Sequence, residues 1–214
     1  MSAELYDRGL RSGGDVAVRH SDGRRVPLGM DRWHGPARGA DVGLLARAEG
    51  PVLDVGCGPG RLAAALTARG VDALGIDVAQ AAVGLTHLAG GHALQRNVFG
   101  DVPGAGGWKS VVLADGNVGI GGDPVRLLRR VGELLSPDGR VLVELDGPDA
   151  GLRVEQVRLE SGETRGTWFS WAYVGGLALA ATAFEAGLSV IERWSACDIA
   201  GDPSTLRWFA VLAG

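Results

Sequence analysis

The stretch Val52-Leu53-Asp54-Val55-Gly56-Cys57-Gly58-Pro59-Gly60-Arg61-Leu62 decides the architecture of this chain. Apolar residues lead up to Asp54 and Val55, glycines follow at alternate positions 56, 58 and 60, and a helix-forming run occupies Arg61 to Arg69. That order reads as a strand, a tight turn and a helix start. Glycine carries no Cβ, so the turn can bend sharply and a ligand can press against main-chain N–H groups at the helix start.

The spacing narrows the ligand. A dinucleotide fingerprint runs Gly-x-Gly-x-x-Gly, its third glycine packing the helix on the strand, but here that third position is Arg61. A second short apolar strand, Leu74-Gly75-Ile76-Asp77-Val78, ends in a carboxylate. It follows at roughly the 20-residue separation where nucleoside-binding α/β folds keep a ribose-binding acid.

Together, Asp54 to Gly60 and Leu74 to Val78 resemble the first two motifs of class I S-adenosylmethionine-dependent methyltransferases, of the Rossmann-like, small-molecule type. The resemblance implies an α/β fold: a Rossmann-like, mostly parallel seven-stranded sheet with helices on both faces and a final antiparallel hairpin. It implies S-adenosyl-L-methionine as cofactor and S-adenosyl-L-homocysteine as product.

The alternation of elements after Pro51 supports a parallel sheet independently. Strands are expected at Val52–Val55, Ala73–Asp77, Ala93–Arg96, Ser110–Ala114 and Gly139–Asp146, with helices near Arg61–Arg69, Gln80–Leu88 and Pro124–Leu135. In such sheets ligands bind at the carboxyl ends of the strands. The cofactor-binding candidates are therefore Asp54, Gly56, Cys57, Gly58, Gly60, Asp77, Val78, Asn97, Val98, Ala114 and Asp115. Asp77 suits the two ribose hydroxyls, since a carboxylate accepts with both oxygens. Val78 would pack on adenine, Asn97 and Val98 would reach its edge, and Asp54 would orient the loop or meet the methionine amino group through water. Cys57 also suits a small packing role, and Asn97 a turn.

Asp115-Gly116-Asn117 occupies the family's fourth motif, beside the transferred methyl group. It lacks the Asn/Asp-Pro-Pro-aromatic signature of adenine-modifying DNA methyltransferases. Asp115 and His34 are the candidates for a base or substrate-orienting residue. Trp33, Asn117, Trp168 and Trp171 are the candidates for the acceptor pocket, with packing as the alternative for the tryptophans. No His, Cys or carboxylate grouping has metal-ligand spacing, so no metal is expected.

The chain has 214 residues, 46% hydrophobic and 21% charged, which suits one soluble globular domain. A formal net charge of −4 and pI near 5.6 argue against nucleic acid as the main partner. The expected partner is a small-molecule methyl acceptor, with no membrane and a monomeric or homodimeric state. Lys109 is the only lysine among 21 lysines and arginines, and with 36 glycines this suggests a GC-rich bacterial genome. Two cysteines form no disulfide framework, and Met1 to Leu10 holds no apolar core of a signal peptide, so a cytoplasmic protein is expected.

Residues 1–50 read as an N-terminal hairpin and helical cap: arms Val16–His20 and Arg25–Leu28 about an Asp22-Gly23 turn, a helical turn through Trp33, and a helix from Pro36 to about Ala48. Residues 51–214 read as the cofactor-binding core, with an inserted hairpin at about 152–171. Leu188–Ala196 and Leu206–Leu212 make the closing antiparallel pair. The expected function is methyl transfer to an O, N or C atom of a small molecule such as a bacterial secondary metabolite. Two alternatives share the motifs: a non-catalytic S-adenosylmethionine-binding partner or sensor, and a nicotinamide-dependent oxidoreductase.

Overall fold

A computed structural model describes residues 3–12 and 15–214. The N-terminal part contains α1 (Ala3–Ser12), β1 (Val16–His20), β2 (Arg25–Pro27), α2 (Met30–His34) and α3 (Ala40–Arg47). The alternating core follows as β3 (Val52–Val55), α4 (Arg61–Ala68), β4 (Ala73–Asp77), α5 (Gln80–Leu88), β5 (Ala93–Gln95), β6 (Trp108–Leu113), α6 (Pro124–Leu134) and β7 (Leu135–Leu145). Then come β8 (Leu152–Ser161), β9 (Thr164–Arg165), β10 (Phe169–Val174), α7 (Gly176–Glu185), β11 (Ser189–Cys197) and β12 (Leu206–Ala213).

Among the described residues the main sheet has seven strands in the order β11-β12-β7-β6-β3-β4-β5. Its strands are parallel except β12, which pairs antiparallel with both β7 and β11. The expected fold class is thus observed, including the closing antiparallel pair. Central strands covered on both faces must be apolar throughout. Accordingly Leu53, Val55, Val111, Leu113, Val141 and Val143 face the α6 and α7 side, while Val52, Val112, Leu142 and Phe209 face α3 and α4. Asp123 caps α6 by accepting from the Arg126 N–H at 2.9 Å, with Pro124 at the first helical position.

The two hairpins read separately from the sequence join. β1 pairs with β2 on one side and β8 on the other, β8 pairs with β10, and a second sheet β10-β8-β1-β2 forms over the first, with β9 also on β8. In its register Val18 lies opposite Leu159 and Ala17 opposite Glu160. Helix α1, on a stretch read only for its lack of a leader, packs Leu5 and Leu10 against Val16, Met30, Ala82 and Leu159. Met1 and Ser2 of that stretch lie outside the described residues. The helix expected from Pro36 starts at Ala40 instead. Gly39 has φ +56°, and a Cβ there would lie 2.3 Å from the Asp198 carbonyl oxygen, so the chain turns sharply against a distant loop before it can coil.

Leu142 is fully buried between the sheet and α3/α4. Leu142→Ala is expected to cost about 2–5 kcal/mol in urea unfolding, because the rigid sheet cannot collapse into the cavity.

Candidate active site

At the end of β3 the chain turns through the glycines. The N–H groups of Gly56 and Cys57 donate to the Ile76 carbonyl at 2.8 and 3.1 Å, which ties the turn to β4. Gly60 has φ +87°, and a Cβ there would meet the Thr86 side chain at 2.5 Å. Thr86, buried on α5, donates to the Gly58 carbonyl at 3.1 Å and locks the turn from beneath. Nothing in the local sequence pointed to Thr86. The Cys57 side chain is buried against Thr86 and Gly75, and burial with nearby Asp54 and Asp77 pushes its thiol up.

Asp77 is buried and braces the loop. Its Oδ2 accepts from the Gly58 N–H at 3.0 Å and its Oδ1 from the Ala79 N–H at 2.8 Å. Burial raises its pKa and the backbone donors oppose that shift. Each carboxylate oxygen keeps a further lone pair for an incoming hydroxyl. Val78 beside it is exposed. Asn97 is also exposed, its Oδ1 accepting from the Phe99 N–H at 3.0 Å in a turn. Val98 is buried, its carbonyl taken by Arg130 at 3.0 Å. Ala114 is buried and its carbonyl accepts from the Asn117 N–H. Asn117 in turn donates its side-chain amide to the Val55 and Gly56 carbonyls at 2.8 and 3.0 Å, so it holds the glycine turn in place. Over the same loop stands Tyr6 of α1, whose hydroxyl lies 3.6 Å from where a Gly58 Cβ would be.

Asp54 is 2% exposed, and its Oδ2 has no hydrogen-bond partner among the described residues. Burial pushes its carboxyl up to about 7, against the attraction of Arg61. A buried acceptor left open beside a glycine turn fits a cationic donor from a ligand, because an unsatisfied buried acceptor is otherwise costly.

Arg61 fills the position where a dinucleotide site would have glycine. It donates to Asp41 at 2.9 and 3.0 Å and to Asp115 at 2.5 Å. Arg207 of β12 donates to Asp41 at 2.8 Å, to Glu144 at 2.7 and 2.8 Å and to Asp198 at 3.0 Å. Arg32 of α2 joins by pairing with Asp115 and Asp198. Burial opposes the charge on Asp41, yet Arg61 and Arg207 outweigh it and hold the carboxyl down at about 2. Asp115 has φ +55°, the one non-glycine residue in the left-handed region among those described. The guanidinium groups on its carboxylate and the Glu144 side chain, which accepts its N–H at 2.6 Å, hold it there.

Between this cluster and the second sheet lies a cavity of about 230 Å³, lined by Arg32, Asp115, Glu144, Asp146, Trp171 and Tyr173 among others. Of the candidates for the acceptor side, Asp115 and Trp171 reach it. Trp33 packs edge-on to Tyr6 with ring centroids 6.4 Å apart, and Trp168 is exposed beneath the Arg158 guanidinium. His34 does not line the cavity; its two ring nitrogens face the Met30 and Leu10 carbonyls at 2.9 and 2.8 Å and tie α2 to α1.

The family model described as a methyltransferase domain matches residues 38–193, most of the chain. The chain belongs to that family. Its cofactor is S-adenosyl-L-methionine, and the residues present fit it: an open buried acceptor at Asp54, a bare glycine turn and the buried acid Asp77 that ends β4. Solved structures of similar fold include an S-adenosylmethionine-dependent methyltransferase from Bacteroides fragilis in complex with S-adenosyl-L-homocysteine. It is 23% identical, with TM-score 0.76, over 99% of this chain and 93% of that one. The CcbJ methyltransferase from Streptomyces caelestis is 20% identical, with TM-score 0.57, over 81% and 86%. The 1,6-didemethyltoxoflavin-N1-methyltransferase of Burkholderia thailandensis is 16% identical, with TM-score 0.54, over 75% and 69%. No curated protein matches the chain in sequence.

Two outcomes test this site in the methyltransferase without any ligand. Arg61→Ala leaves Asp41 buried with half its partners removed and is expected to cost about 3–5 kcal/mol in urea unfolding. Asp54 has a folded pKa of about 7, above the roughly 3.9 of an unfolded carboxyl. The folded state therefore binds the extra proton, and this contribution to stability is present below about pH 4 and lost as pH rises through about 7. Asp54→Asn is expected to remove that fall, read as Tm against pH.

Proposed function

We propose that the methyltransferase acts on a small molecule, a bacterial metabolite carrying an O, N or C nucleophile, in the cytoplasm of its source cell. The observation that carries this reading is the cavity: about 230 Å³, lined by Trp171 and Tyr173 and by the Asp115-Gly116 turn, a concave site sized for a small ligand rather than a polymer surface. The net charge of −4 supports it by offering nucleic acid no attraction. No helix among the described residues is long and apolar enough to cross a membrane.

In this reading Asp54 meets the amino group of the cofactor, the Gly56–Gly60 backbone its methionine moiety, Asp77 its ribose hydroxyls and Val78 one face of adenine. Asn97 and Val98 border that face, and Cys57 and Ala114 contribute main chain. Bound there, the cofactor supplies a methyl group already activated on a sulfonium centre. The protein's share is chiefly alignment, which for well-held reactants contributes up to about 7–11 kcal/mol. Asp115 takes the substrate-orienting role: its oxygens are occupied by Arg32 and Arg61, so it shapes the pocket wall through them. Residues 1–50 serve as a cap over the core of residues 51–214, with the inserted strands giving the acceptor wall.

Calorimetric titration with S-adenosyl-L-methionine, S-adenosyl-L-homocysteine and NAD is the direct test, followed by acceptor screening for a methyl mass shift. Binding of the first two alone is expected, and binding of NAD alone would overturn the cofactor site. Asp77→Ala is expected to lower S-adenosyl-L-homocysteine affinity by about tenfold or more, since hydrogen bonds to a charged group contribute roughly 1.5–3 kcal/mol.

A further inference from the structure

The cavity is lined by three carboxylates whose circumstances differ. Asp115 and Glu144 are saturated. Arg61 and Arg32 hold the first and Arg207 the second, and Glu144 also accepts the Asp115 N–H. Asp146, one residue past the end of β7, is half-buried. Its one ion pair among the described residues is with Arg153 at 3.5 Å, whose own side chain is 57% exposed and also reaches toward Glu155 at 3.6 Å. A pair so long and so wet contributes little, and the Asp146 oxygens are open to a better donor.

The neighbouring arginines do not supply that donor. Arg32, Arg61 and Arg207 face four carboxylates, Asp41, Asp115, Glu144 and Asp198. Three guanidinium groups against four acids leave no positive charge over for the cavity. Asp146 itself is held in place by its backbone, whose N–H donates to the Val174 carbonyl at 2.9 Å across to the second sheet. Beside it Tyr173 stacks on His20, with centroids 5.9 Å apart, and so is fixed as a wall. Trp171 forms the next part of that wall, pinned edge-on to Phe169 with centroids 6.3 Å apart. The cation already at this carboxylate is the exposed Arg153, which also lies 5.3 Å over the Tyr173 ring; an organic ammonium group that displaces it meets the same carboxylate and the same aromatic side.

We propose that the methyl acceptor is a small amine, anchored in this cavity by the Asp146 carboxylate against Trp171 and Tyr173, which makes the enzyme an N-methyltransferase with Asp146 as its specificity-determining residue. The inference rests on the small-molecule methyltransferase reading given above. In the reaction the bound ammonium first gives a proton to Asp146, which passes it to the solvent that reaches its half-exposed side chain. The lone pair of the resulting neutral amine then forms the new C–N bond while the methyl C–S bond breaks and sulfur keeps its electron pair, and the product leaves as the methylated ammonium. The donor becomes the neutral thioether, so atoms and charge balance.

The test uses the full chain saturated with S-adenosyl-L-homocysteine, whose own binding is measured first. Three one-ring probes are compared by ligand-observed NMR: 2-phenylethylamine, the uncharged 2-phenylethanol and the anion 3-phenylpropanoate. The amine is expected to bind at least about tenfold tighter than either analogue, the value of one charge-assisted contact. That preference is expected to vanish in Asp146→Asn and to return in Asp146→Glu, with S-adenosyl-L-homocysteine affinity unchanged in both. With S-adenosyl-L-methionine in place of the product, wild type is expected to yield the N-methylated amine by mass. Equal binding of amine and alcohol, tighter binding of the carboxylate, no amine binding, or a preference that survives Asp146→Asn would each overturn the proposal. Failure of wild type to bind S-adenosyl-L-homocysteine would instead overturn the cofactor site on which the proposal rests.

Discussion

Arg61 and Arg207 meet at Asp41 by the carboxyl end of the sheet, with Asp115 and Glu144 as their further partners. Five segments distant in sequence contribute to that cluster: α3, the start of α4, the turn after β6, β7 and β12. Buried charges of this kind are tolerated only when every partner is present, so the cluster fixes how those segments sit relative to one another. It also holds Asp115 in a backbone conformation that an unsupported aspartate rarely adopts. The glycine turn and the cavity lined by Asp115 and Glu144 both border it.

The second sheet completes the enclosure. By pairing with β8, β1 joins residues from the beginning of the chain to residues inserted after β7, and β10 then brings Trp171 and Tyr173 to the cavity. Close approach is permitted by Gly119, where a Cβ would lie 2.1 Å from the Ala172 carbonyl oxygen. At the glycine turn α1 does the equivalent work. Asp7 accepts from the Ala81 N–H at 2.9 Å, fastening α1 to the start of α5 with Tyr6 above Gly58.

The sequence signals that proved legible share one property, which is that they are local. The glycine turn, the acid ending β4 and the Asp123-Pro124 helix start each express a backbone requirement within a few residues. The amphipathic spacing of Leu5 and Leu10 was equally local, and a helix could have been read there. Asp54 was read as a candidate, but its open oxygen was visible only once burial was known. Asn117 was read as a candidate for the acceptor pocket, whereas its bonds to the Val55 and Gly56 carbonyls depend on β6 lying beside β3.

By itself the sequence determined the order of strands and helices from β3 to β7, the parallel sheet, the glycine turn and the family, because hydrophobic periodicity and glycine spacing act over short stretches of chain. Only the tertiary structure decided the arginine cluster, the joining of two hairpins into one sheet, and which carboxylate in the cavity stands under-paired. Those depend on residues more than a hundred positions apart, such as Arg207 and Asp41, and long-range pairing of charges leaves no periodic trace in the chain. Asp115 and Asp146 look alike in sequence, and what separates them is the number of guanidinium groups that the fold brings within reach.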